Sequence, residues 1–185
     1  MKLLIPAGPT RESLDPVRFL SNRSTGKMGY ALAAAAVEAG HEVTLVSGPV
    51  ALVPPAGLAA LIRIETAAEM AEAMKQAFPE ADVTILCAAV ADYRPKFYSA
   101  SKLKKQEGGM IVEFERTEDI ALSLGKLKRP DQILAGFAAE TDDIEQNALI
   151  KLKTKNFDWI AANQVGVPDS GFASDTNRLK LYSAT

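Results

Sequence analysis

The chain has 185 residues, 48% hydrophobic and 24% charged, which are ordinary globular proportions and exclude disorder and a long coiled coil. Lys and Arg number 21 against 23 Asp and Glu, a net charge of −2, so nothing favours nucleic acid or an anionic membrane as a bulk partner. One cysteine and one histidine exclude an intrachain disulfide and speak against a zinc site built from several soft ligands. The single thiol fits a reducing, cytoplasmic setting. No apolar run reaches the roughly 20 residues of a membrane span, and three apolar residues between Lys2 and Pro6 make no signal peptide. One domain over 1–185 is the expectation. Its chemistry must come from Lys, Arg, Asp, Glu, Asn and backbone amides, which suits anions.

Leu3-Leu4-Ile5 reads as a buried strand with turn residues behind it. An irregular stretch from Arg11 to about Gly26 precedes a helix carrying Met28, Leu32, Ala35 and Ala36 and closed by Gly40. Val43 to Val46 is a second strand and Leu61 to Ile64 a third. Thr66 with Glu69 forms a capping box for a helix running to Phe78, where Pro79 stops it. Val83 to Cys87 is the fourth strand. A lysine-rich loop runs from Asp92 to about Gly109, followed by a strand at Ile111 to Phe114. The rest reads as a helix over 118–127, a strand at Ile133 to Phe137, a helix from Asp142 to Asn156, and strands at Trp159 to Ala162 and Leu179 to Tyr182. The alternation predicts an α/β fold: a doubly wound, Rossmann-like, mostly parallel sheet with helices on both faces. Both long loops follow the C-terminal ends of strands, where such sheets place ligands.

Several constellations suit anion chemistry. Gly8-Pro9-Thr10, and later Ser24-Thr25-Gly26-Lys27-Met28-Gly29 at a helix start, bring backbone amides and a helix N-terminus to bear on a phosphate; tight helix–sheet packing explains the same glycines. The phosphate-loop pattern GxxxxGK(S/T) fails at Ser21 and Met28, and GxGxxG is absent. Asn22, near Arg18 and Arg23, can donate to an oxyanion and accept a nucleophile's proton, or form an Asx turn. Asp92-Tyr93-Arg94 with Lys102, Lys104 and Lys105 can close over phosphates, or be a solvated basic face. Lys151 and Lys155, four apart, share a helix face near Gly136-Phe137-Ala138 and can hold a triphosphate, or be surface charge. Gly171 to Asn177 reads as turn chemistry. Cys87 reads as buried and inert, His41 as a contact at a helix end, and Trp159 and Phe137 as core.

Taken in order, GPTRESLDPVRFLSNRSTGKMG, VTLVSGP, CAAVADYRP with KLKK, GFAAET, the run from Lys153 to Asn163, and GFxSDxN resemble phosphopantothenoylcysteine synthetase over essentially the whole chain. The resemblance implies CTP as co-substrate, Mg²⁺ as cofactor, and ligation of 4′-phosphopantothenate to L-cysteine through an acyl-cytidylate. It implies Asn22 and Lys102 as catalytic residues. The nucleotide positions it implies are Leu86, Cys87, Ala88, Asp92, Lys102, Glu118, Asp119, Ile120, Ala121, Phe137, Lys151 and Lys155. Gly8, Arg18, Gly26, Lys27, Met28 and Gly29 are implied for phosphate and substrate, with no metal ligands assigned. It further implies a homodimer, natural fusion to a flavin-dependent decarboxylase half absent from these residues, hence no flavin here, and a domain trimmed at its C-terminus. Glu118 stands where the family usually has proline before the aspartate. An NAD(P)-binding reductase and a non-catalytic nucleotide-binding module are the alternatives on the same fold.

Overall fold

The computed structural model describes residues 1–105, 107–164 and 176–184; Gly171 to Asp175 lie outside them. A run of apolar residues puts β1 (Lys2–Ala7) in the middle of a seven-stranded sheet. Its residues from Leu3 onward are buried, as a parallel strand covered on both faces must be. β1 pairs in parallel with β4 (Glu42–Ser47) on one side and β6 (Val83–Leu86) on the other. β5 (Ala60–Arg63) extends the first side. β9 (Ile133–Glu140) and β10 (Trp159–Gln164) extend the second, and β11 (Lys180–Ser183) closes it antiparallel. The chain therefore leaves β1 in one direction and returns to its other side, which makes the C-terminal ends of β1 and β6 a topological switch point.

Helix α1 (Lys27–Glu38) covers one face, burying Tyr30, Ala33 and Ala36 against Leu3, Ile5, Val43 and Leu45. α2 (Ala67–Ala77), α3 (Ile120–Leu127) and α4 (Ile144–Thr154) cover the other face. There Met70, Met74, Leu124 and Leu152 pack on Leu4, Val46, Leu134 and Ile160. The expected capping box is formed: Thr66 accepts from the Glu69 amide at 3.2 Å and Glu69 reaches back to the Thr66 amide at 3.1 Å. A second carboxylate, the buried Glu12, accepts from the Ala67 amide at 2.8 Å, as the positive end of a helix favours. His41 meets the end of α1, through its amide and the Ala36 carbonyl.

Three expectations change. The stretch after Gly8 is ordered by a hairpin, β2 (Arg11–Ser13) with β3 (Phe19–Ser21), turned by Asp15-Pro16. The strand expected at Ile111 to Phe114 lies later, as β8 (Phe114–Arg116), and pairs with β7 (Tyr93–Pro95) in a ribbon apart from the main sheet. Trp159 is no core residue; it is 47% exposed. It opens β10 near the sheet edge, beyond the strands that α1 packs against.

The start of α1 is fitted to β1 without slack: a methyl group on Gly29 would lie 2.5 Å from the Ala7 Cβ and 3.1 Å from its Cα. Gly29→Ala is expected to cost about 1–3 kcal/mol through overpacking, read as a lowered midpoint in denaturant melts. An unchanged midpoint would show that the helix can back away freely.

Candidate functional site

A cleft of about 1010 Å³ opens at the switch point. Its wall on one side is the first turn of α1, where Gly26, Lys27, Met28 and Gly29 all line it. Gly26 is the N-cap, in the left-handed region at φ 80°, and no side chain caps the helix. Such a terminus leaves first-turn amides without intrahelical partners and attracts anions. No acidic residue stands in that turn to compete. Gly8, also left-handed at φ 82°, does not line the cleft but braces its floor: its carbonyl accepts from the Ala89 amide at 2.9 Å. A Cβ at Gly8 or Gly26 would meet Val50 at 2.8 Å.

The floor comes from the end of β6 and its continuation, Leu86 to Val90, with Asp92 beyond. Cys87 lies here and burial pushes its thiol up to about 12, so it is a neutral wall atom rather than a nucleophile. Asn22 reaches over this floor and donates both amide hydrogens to protein, at 3.0 Å to the Ala89 carbonyl and 3.1 Å to the Val90 carbonyl. The oxyanion-donor role read for it is therefore occupied. The atom left for a ligand is Oδ1, an acceptor with no partner among the described residues.

The opposite wall is Thr117, Glu118, Asp119, Ile120 and Ala121 at the start of α3, with Phe137, Ala139 and Lys155. Asp119 caps α3, accepting from the Leu122 amide at 3.0 Å. Partial burial opposes its charge, yet that bond and the Lys155 ammonium, 3.0 Å away, hold its carboxyl below the usual range. Asp119 remains 45% exposed, so the ion pair is worth at most about 1 kcal/mol. A phosphate can therefore compete for Lys155. Lys75 at 2.6 Å, helped by Ser123, lowers Glu118 in the same way.

Three implied residues stand apart from the cleft lining besides Gly8. Lys151 pairs with Glu140. Lys155 is the C-cap of α4, and its amide still donates to the Lys151 carbonyl at 3.0 Å, so the two lysines keep their helical spacing; of the two, Lys155 alone lines the cleft. Arg18 is turned toward Asp15 and the Leu103 carbonyl, not toward the cleft. Lys102 is exposed on the loop after β7. The sequence reading missed the buried Asn163, the neighbouring Asn177, and Leu52 and Val53 from the β4–β5 connection, all of which line the cleft. The two asparagines carried a signal, since both sit in stretches singled out above. Leu52 and Val53 carried none.

A family model described as the DNA/pantothenate metabolism flavoprotein C-terminal domain matches residues 1–185. The chain belongs to this family. The resemblance read from the motifs is borne out at that level. A relative from Bacillus subtilis (strain 168), the coenzyme A biosynthesis bifunctional protein CoaBC, is 53% identical over 97% of the chain and 44% of its own length. The protein of the same name from Escherichia coli (strain K12) is 44% identical over 98% of the chain and 45% of its own. The chain thus spans a little under half the length of these relatives. A crystal structure of the C-terminal domain of CoaBC superposes with a TM-score of 0.82 at 46% identity, covering 99% of this chain and 81% of that one. No helix among the described residues is long and apolar enough to cross a membrane.

The raised Cys87 thiol has a measurable consequence. It stays protonated through neutral pH, and thiolate is the reactive form. Alkylation by iodoacetamide at pH 8, followed by mass spectrometry, is expected to run at least about tenfold slower than for a free cysteine. The rate should keep rising past pH 9.5 and should jump on unfolding. A plateau below pH 9 in the folded protein would contradict the placement.

Proposed function

We propose that the chain is a CTP-dependent ligase that joins 4′-phosphopantothenate to L-cysteine for coenzyme A biosynthesis. The observation that carries this is the cleft itself. An uncapped helix N-terminus faces a wall bearing a displaceable lysine, in a volume that holds a nucleotide and a second substrate. The motifs quoted for the resemblance supply most of its lining, and relatives of the same family are named for coenzyme A biosynthesis.

The substrate carboxylate attacks the α-phosphorus of CTP and expels pyrophosphate, giving an acyl-cytidylate. The cysteine amine then attacks the acyl carbon, CMP leaves with the bond electrons, and the amine loses a proton as the amide forms. Neither step needs a histidine base or a thiol nucleophile from the protein. What they need is positioning and neutralisation of phosphate charge. The α1 amides and Lys155 serve the phosphates, Phe137 and the Leu86-Cys87-Ala88 backbone hold the nucleoside, and Lys102 acts at the departing pyrophosphate. Asn22, fixed by its two donated hydrogen bonds, presents Oδ1 to the attacking amine and accepts from it.

Mg²⁺ fits this donor set when it arrives on the triphosphate. No cluster of three or more His, Cys, Asp or Glu suited to a metal exists among the described residues. However, Mg²⁺ is held by one or two carboxylates plus phosphates, and Asp92 is a cleft carboxylate without an ion pair among the described residues. The ion would spread the charge of the triphosphate.

A homodimer is the proposed assembly. Its support is a set of exposed apolar side chains on the two adjoining ribbons and the loop between β7 and β8: Phe19, Phe97, Tyr98, Ile111 and Phe114 are 47–96% exposed. Large apolar groups left in water mark an interaction surface.

Asn22→Ala is expected to release pyrophosphate from CTP and 4′-phosphopantothenate near the wild-type rate while slowing the cysteine step by about 100-fold. Lys102→Ala should slow the pyrophosphate step itself. Quench-flow with and without cysteine separates the two, and the reverse pattern would refute the assignment. Phe97→Asp is expected to shift the protein to monomer in analytical ultracentrifugation; an unshifted dimer would place the interface elsewhere.

A further inference from the structure

The turn between β2 and β3 carries a side-chain arrangement that the ligase chemistry does not account for. The Asp15 side chain has no exposed surface. Its carboxylate nonetheless accepts five hydrogen bonds, from the amides of Val17, Arg18 and Leu103 and from Nε and Nη2 of Arg18. Oδ1 serves the local turn. Oδ2 serves Arg18 and, 88 positions along the chain, the Leu103 amide at 3.1 Å. Arg18 Nη2 in turn donates to the Leu103 carbonyl at 2.8 Å. The two residues thus hold one amino acid of the distant loop by both its N–H and its C=O.

That amino acid follows Lys102. On the other side of the lysine, the Ser99 amide donates to the Leu14 carbonyl at 3.0 Å, and the Ser99 hydroxyl donates to the Ser101 carbonyl at 2.7 Å. The loop is tied to the same turn three residues before Lys102 and immediately after it. The Lys102 side chain is exposed and without a partner among the described residues. The hairpin that makes the tie ends in Asn22, which is itself fixed to Ala89 and Val90.

We infer that Asp15, together with Arg18, is a positioning residue for Lys102: the pair fixes the Leu103 peptide, and so the root of the lysine, relative to Asn22 and the cleft. The inference rests on the reading of Lys102 as the lysine that acts at pyrophosphate. Its physical content is entropic and geometric. A lysine on a long exposed loop loses backbone and side-chain freedom each time it enters a transition state. A root held in advance has already lost part of it, and a displacement of about 1 Å can cost on the order of 100-fold in rate. The charge of the carboxylate is essential to the grip. One oxygen must accept from three donors, and an amide nitrogen in its place would point hydrogens at the Leu103 N–H and the Arg18 fork.

Asp15→Asn tests this, because the isostere keeps Oδ1 for the Val17 and Arg18 amides and removes only Oδ2, the acceptor shared by the Arg18 fork and the Leu103 amide. The assay is pyrophosphate release from CTP and 4′-phosphopantothenate with Mg²⁺ and no cysteine. We expect kcat to fall about 10- to 100-fold with KM for CTP within about threefold of wild type. In a Lys102→Ala background the same substitution should cause no further fall. An undiminished kcat in Asp15→Asn, or an equal fold-loss with and without Lys102, overturns the inference, since the effect would then not pass through the lysine. If Asp15→Asn does not fold, Arg18→Lys is compared in the same two backgrounds. It keeps a cation beside Asp15 but cannot span Asp15 and the Leu103 carbonyl together. Wild-type pyrophosphate release by Lys102→Ala alone defeats the lysine assignment and this inference with it. A slow Lys102→Ala with additive Asp15→Asn defeats only the positioning role.

Discussion

The first turn of α1 sits on the last residues of β1 with no room for a side chain between Gly29 and Ala7. That close approach places the helix N-terminus over the end of the central strand, directly beside the end of β6. Everything proposed for phosphate recognition depends on it. Were the helix carried a few ångströms outward by a larger residue, its amides would still exist, but they would open onto solvent instead of a cleft with a wall opposite. The left-handed backbone at Gly8 and Gly26 belongs to the same constraint. The strand must turn away and the helix must start within a space that Val50 already fills.

Around that fixed point the protein assembles a site from weak and replaceable interactions. Lys155, in the cleft wall, is paired to a carboxylate that remains partly in water, and so is Lys75 behind Glu118. Such pairs cost little to break, and the phosphates of the proposed nucleotide would offer the cation more charge than a carboxylate does. The buried carboxylates lie elsewhere: Asp15, which grips a half-exposed Arg18, and Glu12 at the start of α2. Rigid ionic hydrogen bonds shape the frame, and loose ones greet the ligand. A chain with one histidine and one inert cysteine is suited to chemistry in which a nucleotide supplies the leaving group.

Much of the frame was legible in the residues. The order of strands and helices, the capping box at Thr66, and the glycine-rich helix start before Met28 follow from local rules of burial, capping and backbone freedom. What was hidden depended on partners far along the chain. The strands at Arg11 and Phe19 are three residues long and carry no alternation; bonds from Asp15 and Ser21 hold them in shape. Trp159 was misread because apolar character does not say which face of a sheet a residue takes, or whether a helix reaches that far. Spacing put Lys151 and Lys155 together on α4, but it could not show that Glu140 takes Lys151 while Lys155 lines the cleft. The commitment of the Asn22 amide to two carbonyls could not be read at all, since Ala89 and Val90 meet it only in the folded chain.

The long reach of these bonds bears on how the protein comes into being on a ribosome. The Thr10 hydroxyl accepts from the Ala91 amide, 81 positions on, and the Asp15 tie spans 88. Contacts that close such large loops form late, after local helices are in place. A nascent chain that has emerged only as far as residue 80 of this sequence has the means to make α1 and β4, but nothing to set opposite the helix terminus. The hairpin bearing Asn22 has no carbonyls to hold at that stage. The cleft is thus a product of the finished fold, and a stalled chain would display its glycine-rich helix start without a floor.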